Sequence, residues 1–210
     1  LKYEETAQLN IGIDISLRGD RTNISANYFH LTTNDMLVYV PQKTYTGVAY
    51  RPENSGKTEN RGFEVSVFHR IINSSDFSWD IIPVVTFQAN KVLETGGLDL
   101  ITPFAGGNFI TTPGYEINSF YGFQYNGVYS TSDEAMKANL VNHKGIPFGA
   151  GDAKFSDISG PENKPDGVIN EYDRVVLGCP QPDYFGSISN RFTYRRWAFD
   201  FMFQFVTGNE

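Results

Sequence analysis

The sequence is poor in cysteine and has no long apolar run, and each absence excludes a kind of protein. Cys179 is the single cysteine in 210 residues, which excludes an internal disulfide and a cysteine-based zinc site. No stretch of 18 consecutive apolar residues occurs, so the sequence predicts no transmembrane helix. A membrane-spanning β-strand needs only alternating apolar residues, so that class stays open.

Basic residues are also scarce. The chain has 17 Lys and Arg against 24 Asp and Glu, a formal net charge of −7 and a pI near 5.0. Without a basic cluster to neutralise phosphates, the composition argues against nucleic-acid binding. His30, His69 and His143 lack metal-site spacing, and no nucleophile elbow, phosphate loop or dinucleotide fingerprint is present. We therefore expect that the protein is not an enzyme.

Aromatic residues are plentiful instead, at 15% of the chain, although the mean hydropathy is −0.34. Apolar and polar residues alternate strictly from Ala7 to Leu17 and from Phe63 to Val67. Every second residue is apolar from Phe77 to Ala89, with Pro83 interrupting the run, and aromatic from Trp197 to Phe205. Such alternation predicts strands with one apolar and one polar face. The last of these strands carries a row of aromatic residues. In water this row would be a large exposed apolar patch, whereas a row that faces lipid is normal.

Short turns and long loops separate the predicted strands in alternation. The short turns are Gly19-Asp20, Asn73–Asp76 and Arg195-Arg196, and the long loops are Pro41–Gly56, Glu94–Pro113 and an acidic insert at Gly151–Pro182. Strands of about ten or more residues can cross a bilayer. The pattern predicts an all-β fold, the antiparallel up-and-down portion of a transmembrane β-barrel with about seven strands, one of them at Ser119–Tyr129. Thr131 and Glu134 form a capping box that predicts one short helix to about Val141.

One alternative stays open, because alternation cannot distinguish lipid from a protein core. It is a secreted, calcium-stabilised β-sandwich that binds carbohydrate. In the sandwich the apolar rows are buried and dry, whereas in a transmembrane barrel they face lipid. Aromatic and Asn-rich loops offer rings for stacking on sugars, or they pack the loops themselves. These residues are Tyr45, Tyr50, Phe104, Asn108 and Phe109.

The acidic insert has the composition of a calcium loop. Its six candidate ligands are Asp157, Ser159, Asp166, the Val168 carbonyl, Asn170 and Asp173. They fall at the ligand positions of such a loop if Gly160–Pro165 replaces the usual single residue, and Gly167 then lies at the sharp turn where φ is positive. Calcium is the one cofactor that the sequence indicates. The alternative is a metal-free loop in which the same Asp side chains cap turns.

Several short segments, each present once, follow one another in a characteristic order over most of the chain. They are Asn60–Glu64, Phe77–Asp80, Asn90–Leu93, Ser119–Phe123, Gly151–Phe155, Asp166–Ile169 with Asp173-Arg174, and Gly178–Pro182. Together they resemble the SusC/RagA family of TonB-dependent outer-membrane transporters of Bacteroidetes. The chain departs from the family at Pro161–Pro165, which interrupts a run that is usually a compact Asp-x-Asn-Gly-Asp-Gly.

The resemblance implies a 22-stranded barrel with an N-terminal plug, of which this chain supplies about a third, in the C-terminal half. It implies TonB-dependent import of oligosaccharides or peptides across the bacterial outer membrane, with a SusD-like surface lipoprotein as a lid. We expect residues 1–210 to belong to one barrel domain embedded in outer-membrane lipid, with residues 131–182 as an extracellular insert and the short turns in the periplasm. The plug, the segment that contacts TonB and the terminal strand would lie outside this sequence.

Overall fold

A computed structural model describes residues 1–209, which form fourteen β-strands, one α-helix and two short 3-10 helices. The strands are β1 (Glu5–Leu17), β2 (Thr22–Pro41), β3 (Tyr50–Asn73), β4 (Phe77–Thr95), β5 (Leu100–Phe104), β6 (Gly107–Thr111), β7 (Ser119–Phe123), β8 (Tyr125–Val128), β9 (Val141–Asn142), β10 (Ala153–Phe155), β11 (Val168–Ile169), β12 (Arg174–Gly178), β13 (Tyr184–Tyr194) and β14 (Trp197–Thr207). The helix α1 spans Ser132–Ala138, and the 3-10 helices span Thr44–Thr46 and Glu171–Asp173. Two compact units result, one of residues 1–100, 111–117 and 179 onward, the other of residues 101–110 and 118–178.

The first unit is built on a six-stranded antiparallel sheet in the order β1-β2-β3-β4-β13-β14. Short turns at residues 18–21, 74–76 and 195–196 join three of the strand pairs, as the sequence predicted. The strands β1 and β14 form its two edges. The antiparallel up-and-down arrangement that alternation predicted is confirmed.

The alternating apolar residues form one continuous face of this sheet. One row crosses all six strands through Ile13, Ala26, Val65, Val85, Gly186 and Phe205. This face is open: Ile11 is 60% exposed, Phe203 66% and Trp197 80%. A β-sandwich would bury such rows against a second sheet, so the sandwich alternative does not describe this unit.

Aromatic side chains flank the aliphatic band at both ends. Away from the short turns, Tyr28, Phe63, Phe87 and Tyr184 occupy neighbouring positions on β2, β3, β4 and β13. Near the turns, Phe77 and Trp79 stand opposite Tyr194 and Phe192, which pair in turn with Trp197 and Phe199. From Phe77 to Phe87 the strand rises about 33 Å, or about 25 Å along the axis of a barrel with about 40° strand tilt. That is the height of the apolar band of an outer-membrane barrel.

The hairpin of β2 and β3 is longer than the sequence predicted. The expected loop Pro41–Gly56 contracts to residues 42–49, because β2 continues to Pro41 and β3 begins at Tyr50. In the extended part of the hairpin, where residues 36–41 pair with residues 50–56, both faces are free to be polar. Strand pairing there therefore needs no alternation of apolar residues. A bulge at residues 33–36, where Asp35 has φ of 55°, separates the alternating part from the extension.

The second unit contains a four-stranded sheet in the order β12-β7-β6-β5 and the strand pairs β10-β8 and β11-β9. The stretch expected as a seventh long strand, Ser119–Tyr129, forms the two short strands β7 and β8, which pair with different partners: β7 with β6 and β12, and β8 with β10. The predicted helix is confirmed, with the Thr131 hydroxyl accepting from the Glu134 amide at 3.2 Å. It ends before Val141 because Asn139 is left-handed. Within residues 1–209 no helix is long and apolar enough to span a membrane.

Candidate functional site

Asp173 is the structural centre of the acidic insert. Its side chain has no solvent exposure, and its carboxylate accepts three backbone N–H groups. Oδ1 accepts from Ile158 at 2.8 Å and Ser159 at 3.1 Å, and Oδ2 accepts from Asn170 at 2.9 Å. Asn170 in turn caps the 3-10 helix Glu171–Asp173 by accepting from the Tyr172 amide at 2.9 Å. Residues 158–159 and 170–173, which lie on either side of the Pro161–Pro165 interruption, are thereby tied together.

The other two aspartates of the predicted calcium loop also bind backbone amides. Asp157 accepts from the Asp166 amide at 3.3 Å and from the Gly167 amide at 2.8 Å, while Asp166 accepts from the Val168 amide at 2.9 Å. Gly167 takes φ of 82°, so the predicted glycine turn is confirmed. At Gly160 a Cβ would lie 2.7 Å from Oδ2 of Asp166, so the close approach of the chain there requires glycine.

The predicted ligands thus lie in one loop, but their carboxylates point at N–H donors of that loop. Across the described residues, no three His, Cys, Asp or Glu side chains are grouped so that they could hold a metal ion. Carboxylates that accept two or three amides have fewer lone pairs left for a cation, which calcium needs in a shell of six to eight oxygens. The calcium site therefore stays a prediction, and the hydrogen bonds give the same residues a role that needs no metal.

A second cluster in the same unit was visible only in part from the sequence. Tyr129 is buried against Phe148, and the Lys154 ammonium lies 5.2 Å from the centre of its ring. Lys154 also pairs with Glu134, whose other oxygen accepts from the Ser130 amide at 2.9 Å. These two hydrogen bonds lower the pKa of Glu134, the lysine contributing most. The capping box indicated Glu134, but nothing in the sequence pairs it with Lys154.

The polar face of the first unit carries a row of alternating charge. Arg70, Asp80, Arg191 and Asp200 stand side by side on β3, β4, β13 and β14. Arg70 donates to both oxygens of Asp80, at 2.7 and 3.2 Å, and Arg191 donates to Asp200 at 2.7 Å. Asp80 is buried although it lies on the wet face. The sequence predicted polar residues here, and the cross-strand register arranges them into pairs.

The loop aromatics divide between exposure and packing. Tyr45 and Tyr50, at the tip of the β2–β3 hairpin, are exposed. In the second unit Phe109 packs against Phe120 and Phe104, with ring centres 5.4 and 6.2 Å apart. Phe109 therefore packs within its own sheet, whereas Tyr45, Tyr50 and Phe104, which is 69% exposed, remain the candidates for stacking on a sugar or a peptide side chain.

An antiparallel sheet with an apolar outer face, aromatic borders and a charged inner face defines part of a transmembrane β-barrel. The chain belongs to the family described as TonB dependent receptor-like, beta-barrel, whose model matches residues 1–203. Members of this family are outer-membrane receptors and transporters rather than enzymes, so the predicted location and the absence of enzymatic activity are confirmed.

Relatives and solved structures agree with this assignment. Two TonB-dependent receptors of Formosa agariphila are each 31% identical over the whole chain, and the TonB-dependent receptor SusC of Bacteroides thetaiotaomicron is 25% identical. The RagAB peptide importer in its open-open state matches the whole chain with a TM-score of 0.78 at 20% identity, over 21% of its own chain. In its closed-closed state the TM-score is 0.74, over 22% of that chain. The chain spans about a fifth of the length of the relatives it matches, 21% for the Formosa receptors.

Proposed function

We propose that the whole protein imports oligosaccharides or peptides across the outer membrane in a TonB-dependent manner. The observation that carries this proposal is the open apolar face of the six-stranded sheet, bordered at both ends by aromatic rows. Such a face is stable only against lipid, and the family to which the chain belongs is made of TonB-dependent receptors.

The two faces of the sheet divide the work of the pore. The apolar face holds the barrel in the bilayer, while the face with Arg70, Asp80, Arg191 and Asp200 lines the water-filled interior. Pairing leaves each of these charges with a neighbour of opposite sign, so the wall is polar without a strong net field. The chain performs no covalent chemistry. Substrate is held by loops and released when TonB pulls on a plug outside this sequence.

The long β2–β3 hairpin and residues 131–182 are proposed to lie on the extracellular side. Both follow the ends of strands that are opposite to the short turns, and short turns are periplasmic in outer-membrane barrels. A SusD-like lipoprotein would close over this side, and Tyr45 and Tyr50 at the hairpin tip would contact the substrate or the lid.

Transport and partner are tested on the full-length protein in its own cells. Uptake of labelled oligosaccharides and labelled peptides is compared in cells with the protein, without it, and with a disrupted TonB. Uptake of one class that needs both the protein and TonB supports the proposal. Uptake that persists without TonB contradicts it.

Crosslinking of outer-membrane fractions should recover a surface lipoprotein. A change of Tyr45 and Tyr50 to Ser should reduce uptake more than the same change at Tyr3, which precedes β1.

A further inference from the structure

Beyond its bulge, the β2–β3 hairpin is a two-stranded ribbon that carries four rings on one face. Residues 37–41 of β2 pair there with residues 50–54 of β3. Tyr39 stands opposite Pro52, and Pro41 stands opposite Tyr50. Directly opposed residues project to the same side of a sheet, as do residues two apart along a strand, so all four side chains share one surface. This surface is the ring face of the hairpin.

The two tyrosines of the ring face are open to solvent. Tyr39 is 65% exposed and Tyr50 is 61% exposed. They are diagonal neighbours on paired strands, a relation that sets two residues about 7–8 Å apart. Two flat rings at this spacing on one surface can both contact a single chain-like ligand. A contiguous exposed patch of this kind is the usual mark of a binding surface.

Prolines protect both edges of the ribbon against the addition of a further strand. The Gln42 amide donates to the Ala49 carbonyl at 2.9 Å. Hydrogen-bonded pairs alternate along an antiparallel ladder, so the backbone groups of residues 39 and 41, and of residues 50 and 52, point out of the ribbon. Pro41 on one edge and Pro52 on the other lack the N–H that would donate to an added strand. A peptide that pairs as a strand is therefore a poor ligand here.

A groove at the end of the ring face adds polar groups that carry no charge. It has a volume of about 450 Å³, and every residue that lines it is uncharged. Pro41 and Tyr50 form its wall on the ring face, and Gln42 and Thr44 supply an amide and a hydroxyl. Nε2 of Gln42 donates to the Val40 carbonyl at 3.2 Å, which holds this amide in place.

The charged side chains of the hairpin lie away from the ring face. Arg51 and Glu53 pair with each other on the opposite face of the ribbon. Lys43 belongs to the turn at the tip but does not line the groove. At the base of the ribbon the Glu4 carboxylate accepts from the Leu37 amide at 2.9 Å. The ring face and its groove therefore offer rings and neutral hydrogen-bonding groups.

We infer that the ring face and its groove bind a neutral oligosaccharide, with Tyr39 and Tyr50 stacking on the apolar faces of two sugar residues. Gln42 and Thr44 would exchange hydrogen bonds with sugar hydroxyl groups, which both donate and accept. Tyrosine rings supply contact area at a low cost in side-chain entropy, and uncharged polar groups are easier to desolvate than ions. The inference rests on the proposed import function and names oligosaccharides rather than peptides as the substrate class.

The experiment measures binding of the full-length protein, purified in detergent, to immobilised probes. The probes are neutral hexasaccharides of glucose, xylose, mannose and galactose, an acidic hexasaccharide of galacturonic acid, and an uncharged hexapeptide. Tyr39→Ser and Tyr50→Ser remove one ring each, and Tyr39→Phe keeps the ring without its hydroxyl. Arg51→Ser, on the opposite face of the same ribbon, is the matched control. A mobility shift between unboiled and boiled samples on SDS gels shows which variants are folded.

We expect at least one neutral hexasaccharide to bind more tightly than the acidic hexasaccharide and the peptide. Tyr39→Ser and Tyr50→Ser should each weaken that binding about fivefold, the effect of losing one ring contact, while Tyr39→Phe and Arg51→Ser should change it less than about twofold. The ranking of the probes by the unchanged protein keeps the inference testable even if a variant folds poorly.

Several outcomes would overturn the inference. They are failure of every neutral hexasaccharide to bind, tighter binding of the peptide or of the acidic hexasaccharide, and an equal loss of binding in Arg51→Ser. Normal sugar binding by Tyr39→Ser and Tyr50→Ser, together with loss of their crosslink to the surface lipoprotein, would also overturn it, because the ring face would then belong to the contact with the lid.

Uptake by the same variants is measured separately in cells with and without TonB. Uptake that does not need TonB, together with sugar binding that needs the rings, would contradict only the proposed function. TonB-dependent uptake, together with sugar binding that does not need the rings, would contradict only this inference.

Discussion

At the scale of single residues, Asp173 is expected to stabilise the acidic insert. In Asp173→Asn an NH₂ group replaces one acceptor that now receives backbone N–H groups, so at least one buried amide loses its partner. We expect a local loss of about 1–3 kcal/mol, seen as faster hydrogen exchange across residues 157–173. Glu162→Gln, an equal charge change on an exposed residue of the same loop, is the control. Similar exchange in the two variants would contradict the role given to Asp173.

The pKa of Cys179 gives a prediction about reactivity. Burial, and next the contact with Glu116, raise the pKa of this thiol from 9.0 to about 11. Since the thiolate is the nucleophile, alkylation by iodoacetamide should be slow at neutral pH and rise only as the pH approaches 11. Glu116→Gln should bring this rise to lower pH. Above pH 9 the unfolded chain loses the thiol proton that the folded chain keeps. The contribution of this thiol to the free energy of unfolding is therefore fully present below pH 9 and is lost as the pH rises through about 11.

At the scale of the element, helix α1 should respond to the charge of Glu134. Its pKa is lowered by Lys154 and the Ser130 amide, so its stabilisation is present at neutral pH and is lost as the pH falls through the lowered folded value. We expect Glu134→Gln to speed hydrogen exchange over residues 130–139 at pH 7 and to have little effect at low pH. Asp133→Asn, in the same first turn, should lose only its interaction with the helix dipole. A pH-independent effect of Glu134→Gln would argue against the ion pair.

The strand β3 offers a test of close packing. Gly62→Ala would place a Cβ within 2.5 Å of a backbone carbonyl that cannot move away. We expect about 1–3 kcal/mol of destabilisation and a smaller fraction of folded full-length protein on unboiled SDS gels. Gly107→Ala, where the Phe104 carbonyl oxygen is the nearest atom to a Cβ at 3.8 Å, should be tolerated. Equal folding of both variants would mean that the strand adjusts its position.

Elements were predictable from the sequence wherever lipid imposes a pattern. In β1 and β14 every second residue must be apolar, so alternation located the strands and their faces. The extension of β2 and β3 has no such constraint, and its Tyr, Thr, Pro and Gly residues gave the pattern of a loop. In the acidic insert the residues were identified but not their partners, because an aspartate that caps amides and one that binds calcium use the same oxygen lone pairs.

At the scale of the whole molecule, the six-stranded sheet cannot be stable in lipid by itself. Both β1 and β14 are edges, and each unpaired N–H and C=O costs several kcal/mol in a bilayer. Strands from the rest of the protein must therefore pair with both edges to close the barrel.

This requirement predicts a difference between the full-length protein and residues 1–210 expressed alone with the same export signal. The full-length protein should be found in the outer-membrane pellet and should migrate differently on SDS gels before and after boiling. Residues 1–210 alone should show no such shift and should aggregate or be degraded, because the exposed apolar face and the open edges have no partners. An SDS-resistant, membrane-inserted form of residues 1–210 would show that this sheet closes on itself or on further copies, and it would remove the need for the missing strands. Failure of the full-length protein to shift, together with its recovery in aqueous buffer, would instead contradict the assignment of the apolar face to lipid.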